Sequence, residues 1–181
     1  MRSAIYKTLK SRLSSLIIGD EGEITQASDQ TLEEIEKGEI SPQYAVKHIC
    51  LWNRQVEFAE QENIFETPAV FIQFGKIAWR AQSGRVQDAE VEISLHVVTT
   101  AKPEEYDDEF HLELLDSINT ILHGYSCDSF STMGRIASIP CHDHEELLEN
   151  IEVFRCHVRD TGAVKESVTS VPELKLEQSL L

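Results

Sequence analysis

The sequence predicts an α+β fold: a mostly antiparallel sheet of four to five strands packed against an N-terminal helix and a central helix. Two stretches with apolar residues at every third or fourth position, near the N-terminus and after Pro103, predict the helices. Between them, an apolar run from Pro68 and an alternation ending at Val97 predict a hairpin, and two more strand-like stretches follow.

The first helix rests on Ile5, Tyr6, Leu9, Leu13, Leu16 and Ile17, whose spacing makes one apolar face. Arg2, Lys7, Lys10 and Arg12 fall on its other faces, and Gly19 offers a stop. From residue 20 to 66 the chain carries 12 Asp or Glu against Lys37, Lys47 and Arg54. Within it, Asp29 is placed to cap a short helix running to Lys37, anchored only by Leu32 and Ile35 and closed by Gly38. Two anchors hold a helix weakly, so the acidic insert over residues 20–45 is expected to be mobile.

Residues 44–59 admit two readings. Ala45, Ile49, Trp52, Val56 and Ala59 fit a helical stripe after Ser41 and Pro42. His48, Ile49, Cys50, Leu51 and Trp52 fit a strand of bulky residues, and a strand over about 46–54 is expected. The run from Pro68 to Phe74 is a strand that starts where a missing N–H is tolerated. Gly75 marks a bulge, Ile77 and Trp79 resume the alternation, and Ser83-Gly84 supplies a turn. Ala89, Val91, Ile93, Leu95 and Val97 then alternate with Glu90, Glu92, Ser94 and His96, which puts one face in the core and the other toward solvent or a partner.

Pro103 suits a first helical position, and the acids after it suit the positive end of the helix dipole. Tyr106, Phe110, Leu114, Ile118, Ile121 and Leu122 form the buried stripe, ending at His123-Gly124. Seven acids and no Lys or Arg lie between Pro103 and His123, so the outer face is anionic. Strands are expected around 133–141 and 151–159. Residues 1–160 read as a single domain, and 161–181 as a flexible polar tail.

Totals narrow the function. With 32 acidic and 16 basic side chains the net charge is −16, and such a surface has few cations with which to neutralise phosphates. DNA coating and anionic membrane surfaces are disfavoured for the same reason. No apolar run approaches the roughly 20 residues of a membrane span. Cys50, Cys127, Cys141 and Cys156 are widely spaced and no secretory leader is evident, so reduced thiols inside a cell are expected.

Candidate chemistry is sparse. No Gly-rich phosphate loop, nucleophile elbow or His-Glu-x-x-His helix occurs. Cys141-His142-Asp143-His144 offers zinc-type ligands, but adjacent residues rarely converge on one ion and the usual ligand spacing is missing. A solvated loop is the better reading, and no catalytic, cofactor-binding or metal residue is assigned. His96, on an outward strand face, and His111 and His123, on the acidic helix, are expected to be cationic partners of nearby carboxylates. Trp52, Phe74 and Trp79 are read as core residues first and interface anchors second. An open sheet edge invites pairing with another copy.

Several pieces in this order resemble the tail-terminator (tail-completion) proteins of long-tailed bacteriophages and prophages. They are the N-terminal amphipathic helix, Thr67-Pro68-Ala69-Val70-Phe71-Ile72, then Val91-Glu92-Ile93-Ser94-Leu95-His96-Val97-Val98 and Leu114-Leu115-Asp116-Ser117-Ile118-Asn119-Thr120-Ile121-Leu122. The closing strand from Asn150 to Val158 is similar too, as is Leu51-Trp52-Asn53-Arg54-Gln55 to prophage members. The resemblance spans about residues 1–160; the acidic stretch 20–41 is longer than the family pattern, and the segment after Thr161 has no counterpart. It implies a homo-oligomeric ring, commonly a hexamer, that caps the tail tube, meets the head–tail connector, and lets DNA pass without specific binding. An acidic lumen would repel phosphates. The resemblance also implies assembly in a bacterial cytoplasm, a place in the virion tail, no catalytic residues to carry over, and contact through the hairpin and the 103–123 helix. Rival readings are a related head–tail connector, a metal-dependent or small-molecule enzyme using the 141–144 cluster, and an acidic DNA-mimic inhibitor.

Overall fold

A computed structural model describes residues 1–58, 65–82, 85–100, 108–143 and 146–162. Its elements are α1 (Arg2–Ser14), β1 (Leu16–Ile18), β2 (Ile24–Gln26), α2 (Asp29–Glu36), β3 (Gln43–Tyr44), β4 (His48–Leu51), β5 (Ala69–Phe74), β6 (Arg80–Ala81), β7 (Gln87–Thr100), α3 (Asp108–Leu122), β8 (Gly134–Cys141) and β9 (Leu147–Asp160). The class is α+β as the sequence predicts, with a larger sheet. β4, β5, β7, β9 and β8 lie side by side in that order, β6 adds to β7, and β2-β1-β3 form a separate three-stranded sheet.

β7 and β9 form the spine. Both are 14 residues long and pair antiparallel from Gln87 opposite Asp160 to Thr100 opposite Leu147. The alternation in β7 decides which face is buried. Val91, Ile93, Leu95 and Val97 point to a core completed by Ile5, Leu9 and Leu13 of α1 and Leu114, Ile118 and Leu122 of α3. The opposite face is covered over its β5 end by a second, smaller cluster, in which Val56, Ala69, Phe71 and Val98 are buried and Trp52 and Phe65 pack against them.

The predicted hairpin forms with Ala69 opposite Val98 and Phe74 opposite Ile93. Strand pairing lapses after Phe74, however, so Ile77 and Trp79 lie outside the strands and pack half-buried against the main core. Phe74 is also half-buried against that core. The strand expected over 46–54 is the shorter β4, parallel to β5, and Gln55–Phe58 form a 3₁₀ turn.

Three local expectations are corrected. α1 stops at Ser14, and Leu16 and Ile17 belong to β1, because Ser15 caps the helix by donating to the Arg12 carbonyl. α2 is capped by Ser28, whose Oγ accepts from the Thr31 N–H at 3.1 Å, while Asp29 takes the first turn, where its charge suits the dipole. Within the 20–45 insert, β2 and β3 both pair with β1, and α2 buries no residue. Pro103 and its acidic followers, Ser83-Gly84 and the tail from 163 lie outside the described residues.

Candidate functional site

The hairpin strands β5 and β7 are paired on both sides, so they offer no free edge; the sheet ends instead at β4 and β8. Terminal strands of monomeric proteins are usually blunted by charge, since an open ladder pairs with any strand that fits. These two carry little. β4 reads His48, Ile49, Cys50, Leu51, and β8 has a single Lys or Arg, Arg135. That guanidinium is turned inward: Nη1 lies 3.2 Å from Oε2 of Glu152, a carboxylate 1% exposed that also accepts from Ser138 Oγ at 2.6 Å. A bulge between Arg135 and Ala137, and Pro140 near the far end, limit the β8 ladder.

Apolar side chains stand exposed along both ends. Leu51 is 52% exposed on β4. Ile136 is 46% and Ile139 48% exposed on β8, and Leu112 of α3 is 61% exposed. The helices divide in the same sense. α1 packs beside β4, whereas α3 sits over β7 and β9 and reaches β8, where the Arg135 N–H donates to His123 Nδ1 at 3.2 Å. α1 carries four basic residues and no acid; α3 exposes Glu109, Glu113 and Asp116 and carries no Lys or Arg.

His96 is not on the surface. It lies on the outward face as the alternation requires, but Trp52 stacks on it with ring centroids 3.8 Å apart and planes 4° apart. Its Nδ1 lies 2.7 Å from Oε1 of Glu149, and Nε2 lies 2.8 Å from Oε1 of Gln73. His96 and Glu149 side chains are 6% and 4% exposed, so this polar pair is a buried part of the smaller core. His111 is likewise buried rather than a surface cation. Nδ1 faces Thr99 Oγ1 at 2.8 Å and Nε2 faces Asn150 Oδ1 at 3.3 Å, an arrangement that a neutral ring protonated on Nε2 satisfies. Burial lowers its pKa, outweighing the opposing pull of Asn150 and Glu152.

Cys141 ends β8, and His142 and Asp143 are exposed beyond it; His144 lies outside the described residues. The Cys141 thiol donates to Asp143 Oδ2 at 3.5 Å. The Asp143 backbone N–H lowers its pKa, but burial and the Glu149 carboxylate prevail and the net shift is upward, away from the thiolate that a metal needs. Among the described residues, no three His, Cys, Asp or Glu side chains are grouped to hold a metal. Burial pushes the Cys156 thiol up to about 11.

A cleft of about 400 Å³ is lined by Lys76, Arg80, Asp88, Glu90, Glu92 and His157. Two of its carboxylates are already engaged across the β7–β9 ladder, Asp88 by Arg159 at 2.9 Å and Glu92 by Arg155 at 2.6 Å. The hydrogen bond from Arg159 holds Asp88 below the usual carboxylate range, so both acids serve as cross-strand ties.

Sequence reasoning missed Glu149 and Glu152 as buried acids. The available signal was their place in β9, Glu149 between Leu147 and Ile151 on one face and Glu152 before Phe154, Cys156 and Val158 on the other. Pro140 within a predicted strand was the corresponding signal that β8 is terminal. No described helix is long and apolar enough to cross a membrane.

No protein-family model matches the chain, and no curated protein matches it in sequence. Among solved structures, a chain of the "Virion of native gene transfer agent (GTA) particle" is similar, with 10% identity and a TM-score of 0.41 over 62% of this chain and 78% of that chain.

Proposed function

We propose that this chain is a structural assembly protein of a tailed phage or prophage, a tail terminator or a closely related head–tail joining component, that acts by binding copies of itself rather than by catalysis. The observation that carries the reading is the pair of sheet ends: β4 and β8 are both terminal, carry little charge and bear exposed Leu51, Ile136 and Ile139. The two ends differ in sequence, length and flanking helix. Contact between them is therefore heterologous, and a heterologous contact generates a ring where its rotation closes and an open filament where it does not. The family resemblance supplies the remainder: a ring at the head-proximal end of the tail tube, commonly of six copies, through which DNA passes.

The test is the mass of the purified full-length protein by light scattering and mass photometry over a wide concentration range. A closed species of several copies, seen as a ring by electron microscopy, is expected. A strict monomer at every concentration overturns the reading, and a tight complex of that monomer with a nucleic-acid-binding enzyme would favour the DNA-mimic reading instead.

A further inference from the structure

We infer that one copy presents α3 and β8 to the α1 and β4 side of the next copy, with the cationic ridge of α1 set against the anionic ridge of α3. This rests on the ring reading above and specifies which surfaces meet.

Charge placement is the first argument. The chain has a net charge of −16, yet α1 carries Arg2, Lys7, Lys10 and Arg12 and no acid. Arg12 is used within the copy: its Nε donates to the Ile121 carbonyl at 2.8 Å and its guanidinium lies 3.9 Å over the Tyr125 ring. Lys10 stands two residues away, about 200° around the helix, so it projects to the flank turned from α3. That flank is the β4 side, where the Lys10 charge opposes the upward shift that burial imposes on Cys50. Lys7 and Lys10 are both exposed and make no ion pair among the described residues. On α3, Glu113 and Asp116 are three residues apart, form one exposed ridge with Leu112, and likewise make no ion pair among the described residues. Opposite charges thus lie on two helices of one layer, with α1 toward β4 and α3 running over β7 and β9 to end near β8.

Strand polarity is the second argument. β4 and β5 run parallel, and every later step across the sheet reverses direction. β8 therefore runs opposite to β4. A copy placed beside another by rotation about an axis along the strands brings β8 against β4 antiparallel, the pairing that uses perpendicular hydrogen bonds. The same step sets α1 of one copy beside α3 of the other. Five strands spaced about 4.8 Å apart give about 24 Å of arc per copy, so six copies make a circle about 46 Å across at the sheet.

Two variants of the full chain test this. Lys7→Glu/Lys10→Glu makes both ridges acidic, and Glu113→Lys/Asp116→Lys makes both basic. All four side chains are exposed, and unchanged circular dichroism and urea midpoints confirm that each variant folds. Each alone is expected to weaken assembly at least tenfold in 100 mM salt, and an equimolar mixture to restore the wild-type particle mass, because reversed ridges then alternate around the ring. Assembly of either variant at wild-type strength overturns the pairing, as does a mixture that stays dissociated. A wild-type particle that stops at two copies points to a symmetric contact and overturns the pairing while leaving self-assembly intact; a wild-type monomer overturns the ring reading itself.

Discussion

Replacing His96 by alanine removes the ring that Trp52 stacks on and the partner 2.7 Å from a carboxylate buried to 4% exposure. Removing one partner of a buried hydrogen bond typically costs about 1–3 kcal/mol, because the remaining polar group stays desolvated. Loss of a well-stacked ring adds about 0.5–1.5 kcal/mol. The pair sits at the edge of the smaller core and Gln73, its other partner, is exposed, so water can enter the space left behind. The expected loss for His96→Ala is therefore about 2 kcal/mol. Glu149→Gln keeps the shape and a hydrogen bond, and should lose about 0.5–1.5 kcal/mol. Urea unfolding of the two single variants and the double variant completes the cycle, with an expected coupling of about 0.5–1.5 kcal/mol. In a Trp79→Phe background, Trp52 emission should shift to the red on losing its cover. A loss below about 1 kcal/mol for His96→Ala, or additive single variants, would refute a paired, buried His96.

The lowered pKa of His111 gives stability an acid dependence: the unfolded chain takes up a proton near pH 6.5 that the buried ring resists, so stability is complete above that pH and falls as the pH drops toward the folded value. Urea midpoints at pH 7.5 and 5.5 should diverge less in His111→Gln than in the wild type. Cys156, with its pKa raised to about 11 and its side chain buried, should be the last of the four thiols to react with Ellman's reagent, and should do so only as the protein unfolds. Phe71→Ala empties the centre of the smaller core and should cost about 3–5 kcal/mol in urea unfolding. Leu112→Ser, by contrast, changes an exposed residue and should leave monomer stability within about 0.5 kcal/mol, so any loss of particle mass reports on the interface.

Long periodic segments were legible in the sequence because their pattern is fixed by one buried face. β7 alternates over its core face without a break, and α3 keeps its stripe from Phe110 to Leu122, so both elements were placed from residue type alone. Short elements were not. β1 continues the apolar spacing of α1, and only the chain's turn at Ser15 separates them. β4 fits either period over its four residues, and it becomes a strand because β5 offers a parallel ladder. His96 shows a different limit. Alternation assigned its face correctly, but what covers that face comes from Trp52 and Phe65, which are distant in sequence. Charge pairs across strands, such as Glu152 with Arg135, depend on register, and register is set by the whole sheet.

Where the acids are placed explains how so negative a chain could still assemble. The insert over 20–45 holds eight acids against Lys37, a net of 1 − 8 = −7, close to half of the total −16. It is built on its own sheet and on α2, which buries nothing, and it meets the main domain at α3, where Ser117 Oγ donates to the Ile24 carbonyl at 3.5 Å. At physiological salt the Debye length is about 8 Å, so exposed charges farther apart than that are largely screened from one another. Close contacts between Lys7 or Lys10 and Glu113 or Asp116 of a neighbouring copy would be screened far less. The cost of assembling like-charged copies then falls mainly on long-range repulsion, the part that salt removes first.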